Sequence, residues 1–199
     1  MSCAQLSFAI LIRECMLSYV FNYLKGRAIT IAYFSSNKID HMEKRTLTIQ
    51  YEARTFDELC EQDRELVETA RKATYTSYAP YSHFSVGAAV RLSNGEIVSG
   101  SNQENAAFGA GTCAERCTMF YANAKYPDEP IRSIAIAARG TDGDFTLSPI
   151  SPCGVCRQAL IEAQTRAKGS IRVLLYGQRE ILVLDSISCL LPFQFDEIV

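Results

Sequence analysis

Charge of one sign is what this chain of 199 residues most plainly lacks: 20 Lys and Arg stand against 22 Asp and Glu, for a formal net charge of −2 at pH 7. With no global basic field, and no stretch in which basic and aromatic residues interleave, nothing gathers phosphates along a polynucleotide strand. A nucleic acid polymer is disfavoured as a partner, and a small neutral molecule fits the balance better. Also missing is an uninterrupted apolar run of the ~20 residues a bilayer helix needs. Residues 1–24 come nearest, but Arg13 and Glu14 stand in their middle, so no membrane partner is expected. The same run is a poor secretory signal, because Lys25 and Arg27 follow the apolar stretch instead of preceding it. There is no internal repeat and no low-complexity tract, which excludes a solenoid or a biased linker. A glycine-rich phosphate loop is absent too, and with it the usual cradle for a nucleotide's phosphates.

What is present is ordinary globular material, 48% hydrophobic and 21% charged, enough for one core and too little for two comfortable domains. Residues 1–50 read as a leading extension and 51–199 as the domain. A polar segment opens at Met42 and passes into an alternating strand pattern by Tyr51. Met42 is therefore expected to be the true initiator, with residues 1–41 arising from an upstream start. The eight cysteines, at positions 3, 15, 60, 113, 117, 153, 156 and 189, are scattered apart from one Cys-x-x-Cys. That pattern suits a reducing, cytoplasmic compartment with some thiols kept for metal, and not a disulfide scaffold. Cys3, Cys15, Cys60 and Cys189 read as small apolar packing residues.

Hydrophobic periodicity supplies the elements. Over 55–74, Leu59, Leu66, Val67, Ala70 and Ala73 share one helical face, and Tyr78-Ala79-Pro80-Tyr81 ends the helix. Two strands over 84–92 and 96–100 flank Asn94-Gly95, a strong hairpin signal. Helical composition over 113–125, an apolar strand at 131–138, a polar loop at 140–151, a helix at 154–167 and strands at 171–176 and 181–184 complete the chain. The order αββαβαββ predicts an α/β fold, a central sheet covered by helices.

Two motifs carry the chemistry: Thr112-Cys113-Ala114-Glu115-Arg116 and Ser151-Pro152-Cys153-Gly154-Val155-Cys156. Each opens a predicted helix, where free backbone N–H groups and the dipole favour a thiolate. Cys113, Cys153 and Cys156 are thus candidate ligands of a catalytic zinc, three from the protein with a fourth position left for water. Glu115, two residues after Cys113, can reach that water and take its proton without being a ligand. Three thiolates leave the centre net negative, so something must withdraw charge from the sulfurs. Arg116 is expected to hydrogen-bond a thiolate; the ordinary alternative for both Arg116 and Arg157 is a solvated surface guanidinium. A structural rival uses Cys117, four residues after Cys113, to close a four-cysteine site, but it leaves Glu115 without a role.

The order ligand, one residue, Glu and later Pro-Cys-x-x-Cys is that of zinc deaminases, with Cys113 in place of histidine. Together with Phe84-Ser85-Val86-Gly87-Ala88-Ala89 and Asn102-Gln103-Glu104-Asn105-Ala106, these motifs resemble the short, homotetrameric, three-cysteine class of cytidine deaminase. The resemblance runs from about Ala70 to Phe195, and residues 1–50 have no counterpart in it. It implies a three-layer α-β-α sandwich around a mixed five-stranded sheet, one zinc per chain on Cys113, Cys153 and Cys156, and a proton-shuttling Glu115. It also implies a nucleoside pocket in which Asn102 and Glu104 bind the ribose 3′-hydroxyl, Phe84 packs on the pyrimidine and Ala114 touches substrate. Phe195, in Leu190-Leu191-Pro192-Phe193-Gln194-Phe195, is expected to reach a neighbouring subunit's site. Phe108 departs from the family's frequent tyrosine, removing a hydroxyl contact, and a long 142–147 loop is expected to alter the rim of the site. The implied activity is hydrolysis of cytidine and deoxycytidine to uridine, deoxyuridine and ammonia. Deamination of blasticidin S is a neighbouring alternative, and a non-catalytic zinc-stabilised binding protein a more distant one.

Overall fold

The computed structural model describes residues 44–196, and the compact unit that holds every strand and helix named below begins at Thr48. The extension up to residue 43, Met42 included, lies outside the described residues. Strands and helices follow one another as β1 (Glu52–Arg54), α1 (Glu61–Ala73), β2 (Ser85–Leu92), β3 (Ile97–Ser101), α2 (Ala114–Lys125), β4 (Ile131–Arg139), α3 (Gly154–Ala167), β5 (Arg172–Tyr176) and β6 (Ile181–Leu184).

The strands form one mixed sheet in the order β1-β6-β5-β4-β2-β3. β4 and β5 run parallel, because α3 carries the chain back across the sheet between them, while the other neighbours are antiparallel. The β2–β3 hairpin closes where Asn94-Gly95 predicts, with Gly95 at a φ of 89° that a side chain would strain.

Side-chain alternation along β4 separates the two faces. Ile134 and Ile136 point to the side that holds Met119 and Ala122 of α2 and Leu160 and Ile161 of α3. Ala135 and Ala137 point to the other, where Leu66, Val67 and Ala70 of α1 pack. Each fully buried leucine or isoleucine stabilises this arrangement by roughly 1.5–3 kcal/mol relative to leaving it exposed. The small residues under α1 let it approach closely: a Cβ on Gly87 would stand 2.2 Å from the Ala70 carbonyl oxygen. α1 is further matched to its dipole by Glu61 and Asp63 in its first turn and Arg71 and Lys72 in its last. The three-layer α-β-α architecture is therefore as expected, with α1 on one face and α2 and α3 together on the other.

Three local expectations are corrected. The sheet has six strands, not five, because Glu52–Arg54 pairs antiparallel with β6 at the edge. The strand pattern leading up to Tyr51 does not itself form a strand over 44–51; the ladder with β6 begins at Glu52 and pairs Glu52–Arg54 with residues 181–183. The 55–74 helix is interrupted: Phe56–Glu58 forms one 3-10 turn under a Thr55/Glu58 capping box, and Leu59 and Cys60 are extended before α1 begins. Burial of Leu59, 3% exposed, holds that break in place.

Candidate metal centre and pocket

α2 and α3 share a face of the sheet, and each is opened by a cysteine. Cys113 caps α2 with extended backbone (φ −74°, ψ 154°), and Cys153 caps α3 in nearly the same conformation (φ −66°, ψ 165°). Cys156 follows in the first turn of α3 and is fully buried. The three Sγ atoms lie within 4.8 Å of one another, with Cys113 and Cys153 separated by 3.8 Å. Sulfurs each about 2.3 Å from a single tetrahedral zinc would stand about 3.8 Å apart, so this donor set fits zinc in both chemistry and spacing. Among the described residues no fourth His, Cys, Asp or Glu joins the group. The Cys117 sulfur lies instead toward β3, 3.4 Å from where a Cβ on Gly100 would stand.

Burial sets the electrostatics of the cluster. It pushes the Cys156 thiol far up, reinforced by the Glu115 carboxylate. It also raises Cys113, although the Arg116 guanidinium donates to that sulfur at 3.9 Å and pulls the other way. At Cys153 burial acts upward too, but the Cys156 backbone N–H and the neighbouring thiols outweigh it, and the net displacement is downward. Glu115 is 4% exposed. Desolvation raises its carboxyl above the usual range, with its own backbone N–H, the Cys156 thiol and Arg116 acting in opposition. A dication among these sulfurs supplies the charge that makes thiolates favourable there, which couples metal uptake to proton release.

At Cys113 opens a cavity of about 510 Å³, whose border includes Arg116, Asn102, Glu104 and Phe108 and reaches neither Cys153, Cys156 nor Glu115. Asn102 is largely occupied by its own chain. Its Oδ1 accepts from the Val86 N–H at 2.8 Å and the Ser77 hydroxyl at 2.7 Å, and its Nδ2 donates to the Phe84 carbonyl at 2.9 Å. One N–H remains to point outward. Glu104 is the complement: Oε2 accepts from the Tyr81 and Ser82 N–H groups at 2.9 and 3.2 Å, leaving Oε1 to accept. Hydrogen bonds from the Ser82 hydroxyl and the Tyr81 N–H hold the Glu104 carboxyl below the usual range. A free donor beside a free, ionised acceptor suits a hydroxyl group, which both accepts and donates.

The remaining expected residues are placed as follows. Phe84 is half-buried and Ala114 fully buried, and neither borders this cavity. Phe108 borders it while 98% exposed. Phe195 is 66% exposed, with its carbonyl held by the Gln158 amide. The 142–147 loop does not border the cavity; Phe145 folds back onto the α1 face and meets Tyr176 edge-on at 5.5 Å. Two sets of groups are not evident from motif reading alone. Ser77, Tyr81 and Ser82 orient Asn102 and Glu104 from the turn that Tyr78-Ala79-Pro80 announces. Arg157 is no solvated surface residue, for it bonds the Pro152 and Leu190 carbonyls and the Ser151 hydroxyl.

Comparison with known proteins agrees with this geometry. The family model described as "Cytidine and deoxycytidylate deaminase zinc-binding region" matches residues 60–168. The chain is similar to a cytidine deaminase of Sporosarcina psychrophila, 35% identical over 133 residues that cover 67% of this chain and 90% of that one. It is 40% identical over 101 residues to a cytidine deaminase of Halalkalibacterium halodurans, covering 50% of this chain and 71% of the relative. A crystal structure of cytidine deaminase from Burkholderia pseudomallei superposes with a TM-score of 0.57 at 39% identity, over 66% of this chain and 97% of that one.

Proposed function

We propose that this chain, which belongs to the family of cytidine and deoxycytidylate deaminases, hydrolyses cytidine and deoxycytidine to uridine and deoxyuridine with release of ammonia. The observation that carries the reading is a zinc-spaced trio of cysteine sulfurs beside a buried carboxylate, with Cys113 of the trio lining a cavity together with Asn102 and Glu104. Cys113, Cys153 and Cys156 hold the metal. Zinc, when bound, lowers the pKa of a water toward neutrality and so supplies the nucleophile.

The chain's own residues do the rest. Glu115, kept from solvent, takes the proton of the attacking water and delivers it to N3 of cytosine, which makes C4 electrophilic. After water oxygen has bonded to C4, Glu115 moves the second proton to the amino group, the C4–N bond breaks and ammonia departs. Burial, which raises the Glu115 carboxyl above the usual range, favours both halves of this transfer by easing uptake of the proton it later returns. Arg116 stabilises the Cys113 thiolate, drawing negative charge away from the metal. Asn102 donates to, and Glu104 accepts from, the ribose 3′-hydroxyl, while Phe84 and Ala114 contact the base and Phe195 reaches a neighbouring subunit's site. The working molecule is a homotetramer of domains spanning 51–199 in the cytoplasm, a setting that suits six described cysteines present as free thiols.

Ultraviolet absorbance of cytidine and deoxycytidine incubated with the purified chain, with ammonia and zinc measured on the same sample, tests this. Conversion with one zinc per chain is the expected result. Bound zinc with no change in either nucleoside overturns it; turnover of blasticidin S in that sample would reassign the substrate, and none would leave a binding protein.

A further inference from the structure

Arg157 directly follows the buried Cys156, and its guanidinium is used in three directions at once. Nε donates to the Pro152 carbonyl at 2.7 Å, Nη2 to the Ser151 hydroxyl at 3.0 Å, and Nη1 to the Leu190 carbonyl at 2.8 Å. Pro152 and Ser151 are the two residues that lead into Cys153, whose sulfur meets α3 through the Cys156 backbone N–H. The exposed cysteine of the trio thus sits at the end of a loop whose carbonyl and hydroxyl are bonded by a rigid fork from the adjoining turn. A guanidinium presents its donors in one plane at fixed angles, so the two loop acceptors define one position of the loop and the third ties it to Leu190.

We propose that Arg157 is a positioning residue for the metal centre: it sets the distance of the Cys153 sulfur from Cys156 and, through Leu190, joins the C-terminal segment to the same arm. This rests on Cys153 and Cys156 being the zinc ligands. Its role differs from that of Arg116, which touches a sulfur directly. Arg157 holds backbone, so its loss leaves the charge at the sulfurs intact and loosens the arm that carries one of them. A loosened arm opens more often, and zinc leaves through the opening. Groups that orient ligands in this way typically change metal affinity by about 10–100-fold when removed.

The test measures the rate at which full-length, zinc-loaded protein surrenders its metal to an excess of a colorimetric chelator. In Arg157→Ala release is expected to be about tenfold faster or more, and free guanidinium added to the buffer is expected to slow it again by refilling the fork. Ser151→Ala, which removes one acceptor and leaves the helix untouched, is expected to release zinc several-fold faster and carries the test if Arg157→Ala does not fold. Gln158→Ala frees the Phe195 carbonyl from the neighbouring position and is expected to keep the wild-type release rate. Wild-type release from both Arg157→Ala and Ser151→Ala overturns the proposal, as does an equal acceleration in Gln158→Ala, which would mark general loosening of this end of the helix. A wild-type chain that takes up no zinc overturns the ligand assignment, and this proposal with it.

Discussion

At the scale of single residues the site divides into groups that do chemistry and groups that hold them. In the proposed mechanism Glu115 belongs to the first. Its carboxylate is buried beside three sulfurs, where a carboxamide of the same shape can sit without disturbing the metal. Glu115→Gln is expected to retain one zinc per chain while losing about 10²- to 10⁴-fold in turnover, the usual worth of a positioned proton-transfer group; zinc content and kcat measured on one preparation check both halves. Asn102 belongs to both groups, because three of its hydrogen bonds serve the chain. The motif residues were legible in the sequence because each lies within five positions of a helix start that composition alone indicates. Ser77, Ser82 and Arg157 were not, since each has a partner far along the chain: the Arg157–Leu190 bond spans 33 residues, and no local pattern encodes it.

The helices and strands show why the site lies where it does. Along β4 the sheet turns Ile134 and Ile136 toward α2 and α3 but only Ala135 and Ala137 toward α1, so the two faces differ in side-chain bulk there. At Gly87 the α1 side is tightly packed, with the Ala70 oxygen, the Thr74 nitrogen and the Ala73 carbonyl carbon all within 2.9 Å of a would-be Cβ. Backbone cannot swing aside as a side chain can, so Gly87→Ala is expected to lower stability by about 3 kcal/mol, the upper end of ordinary overpacking. Denaturant unfolding of the zinc-loaded protein measures it. The order of helices and strands was legible from periodicity, and α3 begins and ends at the expected residues. The edge strand β1 was not, because three residues carry too little alternation to register. The break before α1 was hidden because Leu59 continues the helical apolar stripe while burying itself from extended backbone.

Viewed as a whole molecule, the domain leaves large aromatic side chains in water. Phe108 is 98% and Phe193 99% exposed, the first at the cavity and the second in the C-terminal segment. In the proposed homotetramer these rings are covered by neighbouring chains. Light scattering of the purified protein is expected to give four times the mass of one chain, and Phe193→Asp to give a smaller species; a monomer in the wild type would leave the cavity without its neighbour and overturn that assembly.

The 40 positions separating Cys113 from Cys153 have a consequence for the protein's life before catalysis. In a zinc finger the ligands are close in sequence and the ion itself organises the chain. Here β4 and the crossover to β5 must already be in place before the two sulfurs meet, so the hydrophobic core, not the ion, drives their encounter. Maturation is then expected to run in two steps, the newly made chain folding metal-free and being filled afterwards. Protein refolded in the presence of a chelator is expected to regain native circular dichroism without activity, and to become active on zinc addition faster than an unfolded chain refolds.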